Sequence, residues 1–258
     1  MSKLQGLFDH PFVEVVLTKG VAAQRLLGDR SPSKVIPEYA REPDEHEYFL
    51  MRVGACMAEL LSLCRQLDQI PILLTNHRQT PAMDKADITR HSAIVYHLEN
   101  YIIRTQGVLD RTLKLVDAVF HLTNDPKHCR YEVVSRNVKV SISDVREPLK
   151  KLKNLLEKYS SIRNEIIHHH EVKEDALRRL EMYFIWERLR RTAPEKNLRD
   201  MKDFIQDELC EARWFRRKEL VGFNDEMAAS LSLIFDNLEP YFSREERTLQ
   251  LRLAKGIV

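Results

Sequence analysis

Apolar residues recur along this chain at helical spacing for most of its length. From Glu47 to Gln69 the positions Phe49, Leu50, Val53, Met57, Leu60, Leu61 and Leu67 fall at the three- and four-residue intervals of one helix face, and Pro71 reads as the stop. A polar connection, TNHRQTPAMDKAD, leads to the longest periodic segment, Ile88 to Leu122, whose stripe is Ile94, Leu98, Tyr101, Ile102, Leu109, Leu113, Val116 and Phe120. The turn signal TNDP at 123–126 ends it. Between Tyr131 and Ser143 the period shortens: Val138, Val140 and Ile142 alternate, as in a short strand or hairpin near 131–143. Helical spacing resumes at Val145 and runs to about Arg191, with room for a break after three consecutive histidines. Ala193-Pro194 punctuates, and a last helical region covers Leu198 to about Asn237, with Gly222 as an interruption or kink and REERTLQLRL as a further short helix. Residues 1–44 mix two apolar runs, PFVEVVL and VAAQRLL, with a Pro-containing loop, RSPSKVIPEYAREPDE. The pattern predicts an all-α protein, an antiparallel bundle of four to five long helices. Residues 1–87 would form an N-terminal extension and first long helix packed on a bundle of residues 88–258.

Composition agrees with this and narrows the setting. Only 7 glycines, with 31% charged and 43% hydrophobic residues among 258, suit a helix-rich globular chain. No apolar run reaches the length of a membrane span, and the N-terminus MSKLQGLFDHPFVEVV lacks a signal-peptide layout, so a cytoplasmic protein without membrane contact is the expectation. Cys56, Cys64, Cys129 and Cys210 are scattered without a CxxC pair, which argues against a zinc ribbon or a disulfide framework; all four read as small core residues in a reducing compartment. The net charge of +2 gives no whole-molecule basic field, so nucleic-acid binding would need a local patch.

The candidate chemistry is concentrated in SSIRNEIIHHHEVKED, residues 160–175. On a wheel of about 100° per residue, Leu149, Leu152, Leu156, Tyr159, Ile162 and Ile166 share one face, and Arg163 and His170 lie within it. Asn164 and His168, four apart, share the neighbouring polar face. An Arg in an apolar stripe is costly unless it is paired or borders a cleft or interface. His168, His169 and His170 point about 100° apart, so a regular helix does not let all three bind one metal ion, and no HExxH pairing is present. Arg and His without metal are a competent pair for phosphodiester chemistry. Guanidinium holds phosphate oxygens with a fixed charge, imidazole moves protons near neutrality, and RNA supplies its own 2′-hydroxyl nucleophile.

Arg163-Asn164-Glu165-Ile166-Ile167-His168 resembles the Arg, polar residue, three variable residues, His motif of HEPN domains, and its setting late in a helical bundle is similar to theirs. The resemblance covers residues 88–240. It implies an all-α bundle and a metal-independent endoribonuclease without a cofactor, of the kind found in toxin–antitoxin, abortive-infection and CRISPR effector systems. It further implies a homodimer that brings two motifs together, RNA as substrate, and a cognate antitoxin or regulatory protein as partner. In this chain Arg163 would stabilise phosphate charge, His168 would transfer protons and Asn164 would orient His168 or bind RNA. Looser spacing admits His169 or His170, and the helical wheel pairs Arg163 with His170 rather than His168; a composite dimer site or a kink after Ile167 would reconcile the two. Alternatively the bundle binds RNA, nucleotide or protein without cleaving.

Two further segments interleave cations with aromatics: RRLEMYFIWERLRR at 178–191 and ARWFRRKEL at 212–220. Arg213, Trp214, Arg216, Arg217 and Lys218 are candidates for RNA backbone contacts and base stacking. The plainer reading fills the core with the aromatics and leaves the charges, diluted by Glu211 and Glu219, in solvent. His91, His97 and His121 show no ligand pairing. Arg163 also has a structural alternative, with its charge met by Asp110 or Asp117 from a neighbouring helix.

Overall fold

The computed structural model describes residues 3–28, 41–76, 80–86, 88, 90–122, 124–169 and 199–256. In chain order the helices are α1 (Lys3–Gly6), α2 (Pro11–Leu27), α3 (Glu45–Thr75), α4 (Pro81–Lys85), α5 (Arg90–Val119), α6 (Tyr131–Arg136), α7 (Val138–Ser141), α8 (Arg146–Leu156), α9 (Ser160–His169) and α10 (Arg199–Ala254). Among the described residues no strand forms, and none of their helices is long and apolar enough to cross a membrane. The protein is an all-α helical bundle.

Helix α3 is the axis of the bundle and lies against α2, α5 and α10. Side-chain pairs set the directions. Gln66 meets Arg104, the Glu59 carbonyl accepts from Arg111 at 3.1 Å, and Arg52 meets Asp117, so α5 runs antiparallel to α3. Leu74 meets Arg213, Leu67 meets Asn224 and Phe49 meets Phe242, so α10 also runs antiparallel to α3. One continuous apolar cluster extends from Leu4 to Leu249 and takes in residues of α2, α3, α5, α8 and α10. Where α2 crosses α3, the backbones touch. A Cβ on Gly20 would stand 3.2 Å from the Leu50 carbonyl oxygen and 3.3 Å from the Gly54 Cα, so both crossing positions need glycine.

Local chemistry explains the helix starts. Asp44 accepts the Glu47 N–H at 2.8 Å, and the Glu47 carboxylate accepts the Asp44 N–H at 3.1 Å, a capping box that opens α3. The hydrogen bond from Arg41 holds the Glu47 carboxyl below its ordinary range, against the opposing effect of burial. His10 Nδ1 accepts from the Phe12 N–H at 3.2 Å and Pro11 takes the first position of α2.

Four sequence expectations are corrected. Pro71 does not stop α3, which continues to Thr75. A helical proline deprives the carbonyl four residues earlier of its donor. Here that carbonyl, Leu67, receives Asn224 Nδ2 at 3.4 Å, while Tyr101 Oη donates to Asn224 Oδ1 at 2.7 Å. The fully buried Asn224 thus repairs the break, and the helix carries on.

The hairpin near 131–143 is absent; α6 and α7 occupy the segment, joined at Asn137, whose side chain accepts the Lys139 N–H at 3.0 Å. Val134 and Val140 are buried anchors while Val138 and Ile142 are exposed, so the alternation does not describe a sheet face. At the C-terminus, Gly222 does not interrupt the helix and REERTLQLRL is no separate helix, since α10 is one helix through both. Pro240 inside it is exposed, where solvent can take the carbonyl that loses its donor. Within the N-terminal extension, residues 11–27 form helix α2.

The end of α5 is set before the TNDP signal. His121 adopts φ 51°, the His121 N–H donates to the Ala118 carbonyl at 3.1 Å, and the Leu122 N–H to the Asp117 carbonyl at 3.0 Å. This is a Schellman stop with histidine in the place usually held by glycine. The imidazole stacks on Phe49 at 5.9 Å between centroids, with Nδ1 3.6 Å from Glu245, so His121 is a structural residue.

Candidate functional site

Helix α8 presents Pro148, Leu149, Leu152 and Leu156 to the core, and a short 3-10 turn, Glu157–Tyr159, joins it to α9. The turn is tied to α10. Tyr159 Oη lies 3.2 Å and Lys158 Nζ 3.5 Å from Glu219 Oε1, while Arg216 Nη1 lies 2.6 Å from Glu219 Oε2. Burial would push the Glu219 carboxyl up, but the Arg216 hydrogen bond and charge, with Lys158 and Tyr159, outweigh it and hold the group below its ordinary range. Tyr159 also packs edge-on to Phe223 at 4.9 Å. Together these contacts set the start of α9, and so the direction in which the next residues face.

What they face is a cleft of about 240 Å³ between α5 and the α8–α9 pair, lined by Gln106, Leu109, Lys153, Glu157, Ser160, Arg163 and Asn164. Ile162 and Ile166 pack against the core, as the wheel predicts, and Arg163 between them is half-buried. Its Nε is buried and has no hydrogen-bond partner among the described residues. Such an atom is rare in folded proteins and costs about 1–3 kcal/mol when left unmet.

Neither carboxylate considered as its structural partner closes on it. Asp117 is held by Arg52 and by Asn124 Nδ2 at 2.6 Å. Asp110 lies within electrostatic reach but forms no ion pair with Arg163 among the described residues. Although Asp110 is exposed by area, the surrounding protein desolvates its carboxyl and pushes it above the ordinary range, with the charge of Arg163 pulling the other way.

Of the residues singled out in the sequence, the cleft brings Arg163 and Asn164 together. Helix α9 is unbroken through His169, so residue 168 follows Asn164 by about one helical turn. The side chains of His168 and His169 stand outside the description, as do His170 and the segment 178–191. Among the described residues no group of three or more His, Cys, Asp or Glu is placed to hold a metal ion.

The second basic segment lies elsewhere on α10, and its members divide. Arg213 Nε donates to the Leu74 carbonyl at 2.8 Å and its Nη2 to the Thr75 carbonyl, so this guanidinium covers the C-terminal end of α3. Arg216 is taken up by Glu219. Trp214 is 60% exposed with Lys218 Nζ 5.4 Å over its ring, and Arg217 is exposed. Trp214, Arg217 and Lys218 therefore remain presented to solvent in the way a ligand-binding patch requires, whereas Arg213 and Arg216 have structural partners. Cys64 is buried and desolvation pushes its thiol up to about 12, in keeping with a small core residue, whereas Cys56 and Cys129 are partly buried and Cys210 on α10 is exposed, which corrects the core expectation for it.

Sequence reasoning passed over Gln106, Leu109, Lys153, Glu157 and Ser160. Part of the signal was present. Lys153, Glu157, Ser160 and Asn164 recur at intervals of four, three and four, a polar stripe on the flank of the apolar one. Gln106 and Leu109 come from α5, 54 or more residues before Arg163, and only the fold brings them there.

An all-α bundle with an Arg–Asn pair at the mouth of a polar cleft, late in the chain, has the layout of a HEPN domain. The chain matches the model of the Cthe2314-like HEPN family over residues 58–214, more than half of its length, and belongs to that family. The match begins inside α3 and spans α5, the cleft and the start of α10. No curated protein and no solved structure matches the chain.

Proposed function

We propose that this protein is an endoribonuclease of the HEPN type that cleaves RNA through the ribose 2′-hydroxyl and needs no metal ion. The 2′-oxygen attacks the adjacent phosphorus, the bond from phosphorus to the 5′-oxygen breaks, and the products are a 2′,3′-cyclic phosphate and a free 5′-hydroxyl. Arg163 neutralises charge on the phosphoryl oxygens, His168 takes up or delivers the proton, and Asn164 orients His168 or the RNA. Two copies of the chain form the working unit, a toxin or defence effector of the cytoplasm that a cognate antitoxin or regulatory protein would restrain.

The observation that carries this reading is the state of Arg163. A structural arginine in an apolar stripe would be sealed against a carboxylate; this one lines an open cleft beside Asn164 with a buried Nε that lacks a partner among the described residues. A phosphate in the cleft would be met by the outward N–H groups of the guanidinium, whose charge no carboxylate neutralises among the described residues. The test is cleavage of a single-stranded RNA in EDTA by the parent protein, Arg163→Ala and His168→Ala. The expected result is activity in the parent alone, with 2′,3′-cyclic termini and unchanged helical circular dichroism in the variants. If both variants cleave like the parent, this site is not the nuclease centre. RNA that is bound by the parent and never cleaved favours the non-catalytic binding reading instead.

A further inference from the structure

The cleft has more lining than Arg163 and Asn164, and the part contributed by α8 and the turn after it has a composition of its own. Lys153 stands there with its ammonium 5.3 Å over the Tyr131 ring and 2.6 Å from the Glu157 carboxylate. That hydrogen bond raises the lysine above its ordinary value, so it is a fixed cation. Glu157, more than half exposed, is the only carboxylate among the lining residues. The side chains of Gln106, Ser160 and Asn164 make no hydrogen bond among the described residues. Unmet amides and hydroxyls, two cations and one displaceable carboxylate thus converge on a space of about 240 Å³. That is below the roughly 300–1,000 Å³ usual for pockets that enclose a whole small molecule, and suits a phosphate with part of its sugar.

We propose that Lys153, Ser160 and Gln106 form a second phosphate subsite, which takes the phosphodiester next to the one held by Arg163 in a single-stranded RNA, and that Glu157 occupies Lys153 until the ligand arrives. An i,i+4 ion pair at this degree of exposure is weak, so exchanging the carboxylate for a phosphate is an easy step. The exchange also makes binding depend on Glu157 with a sign opposite to that of Lys153. This deepens the nuclease reading by assigning a positioning subsite to the same cleft, and its test is chosen so that either can fail alone.

The test measures binding of a short fluorescein-labelled 2′-O-methyl oligoribonucleotide, which lacks the nucleophile for cleavage, to the full chain by anisotropy across a salt series. Lys153→Gln is expected to weaken binding roughly fivefold near 0.1 M salt and to flatten the salt slope by about 0.7, the contribution of one phosphate on a single strand. Glu157→Gln breaks the same ion pair, yet is expected to tighten binding a few-fold because it removes the competing charge. A purely structural pair would move both variants in the same direction, and that result overturns the subsite. Should the two variants diverge while no RNA is cleaved, the subsite stands and the nuclease reading falls. Should RNA be cleaved while the two move together, the reverse holds.

Discussion

Arg213→Ala separates a structural role from an RNA-binding role for a cation set among aromatics, where the sequence favoured charges left in solvent over a binding patch. In the structure its guanidinium caps the C-terminal end of α3 through the carbonyls of Leu74 and Thr75. The last carbonyls of a helix have no donor of their own and carry the negative end of the helix dipole, so a cation there is favoured by about 0.3–1 kcal/mol. Hydrogen bonds from a charged donor contribute about 1.5–3 kcal/mol each when buried. Arg213 is half-buried and water can replace part of what is lost, so the combined effect falls near 2 kcal/mol rather than at the sum. For a chain of this size, 1 kcal/mol corresponds to roughly 2–4 °C in Tm, which puts the variant about 4–8 °C below the parent. Thermal unfolding followed by circular dichroism reads the shift, with oligonucleotide anisotropy measured in parallel. Lys218→Gln is the control, since Lys218 is exposed and among the described residues its ammonium meets the Trp214 face; it should leave Tm unchanged. A Tm within 1 °C of the parent for Arg213→Ala, together with a fall in RNA affinity, would refute the capping argument and return Arg213 to the binding patch.

Two further outcomes test the parts of the fold that position the cleft. Tyr101→Phe removes the donor to Asn224 Oδ1 in a site with no exposure, and should cost about 1–3 kcal/mol in chemical denaturation; Asn224→Leu should cost more, because the Leu67 carbonyl opposite Pro71 is then orphaned as well. Glu219→Gln should change the acid limb of stability. The folded-state carboxyl is held below its ordinary 4.5, so its stabilisation is complete above about that pH and is lost as pH falls through the lower folded-state value. The variant should therefore be less stable than the parent at neutral pH and converge with it in acid, and a constant difference across that range would show that Glu219 acts by packing alone.

The helices were legible wherever one apolar face met one partner. The stripes on α3, α5 and α8 name residues that are buried in the structure, and Arg163 stands out in the sequence as the polar intruder in an apolar stripe. Element boundaries failed where the deciding atom was distant in sequence. Pro71 looks like a stop in any local window, and only Asn224, 153 positions away, makes the helix continuous. Val138, Val140 and Ile142 carry the period of a strand, but the described fold offers no neighbouring strand to pair with, and two buried valines anchor short helices in its place.

The same division holds for the site. The sequence by itself determined the class of protein, the Arg163–Asn164 pair and the one-turn step to residue 168, because a helix converts spacing into direction without help from the rest of the chain. Tertiary structure alone decided that Arg163 borders a cleft rather than a carboxylate and that Asp117 belongs to Arg52. It also decided that Gln106 and Leu109 of α5 close the far wall, and that Arg213 serves α3. Each of these depends on which group reaches which across the bundle, and a charge or an unmet donor has no chemical meaning until the neighbouring helix has supplied, or withheld, its partner.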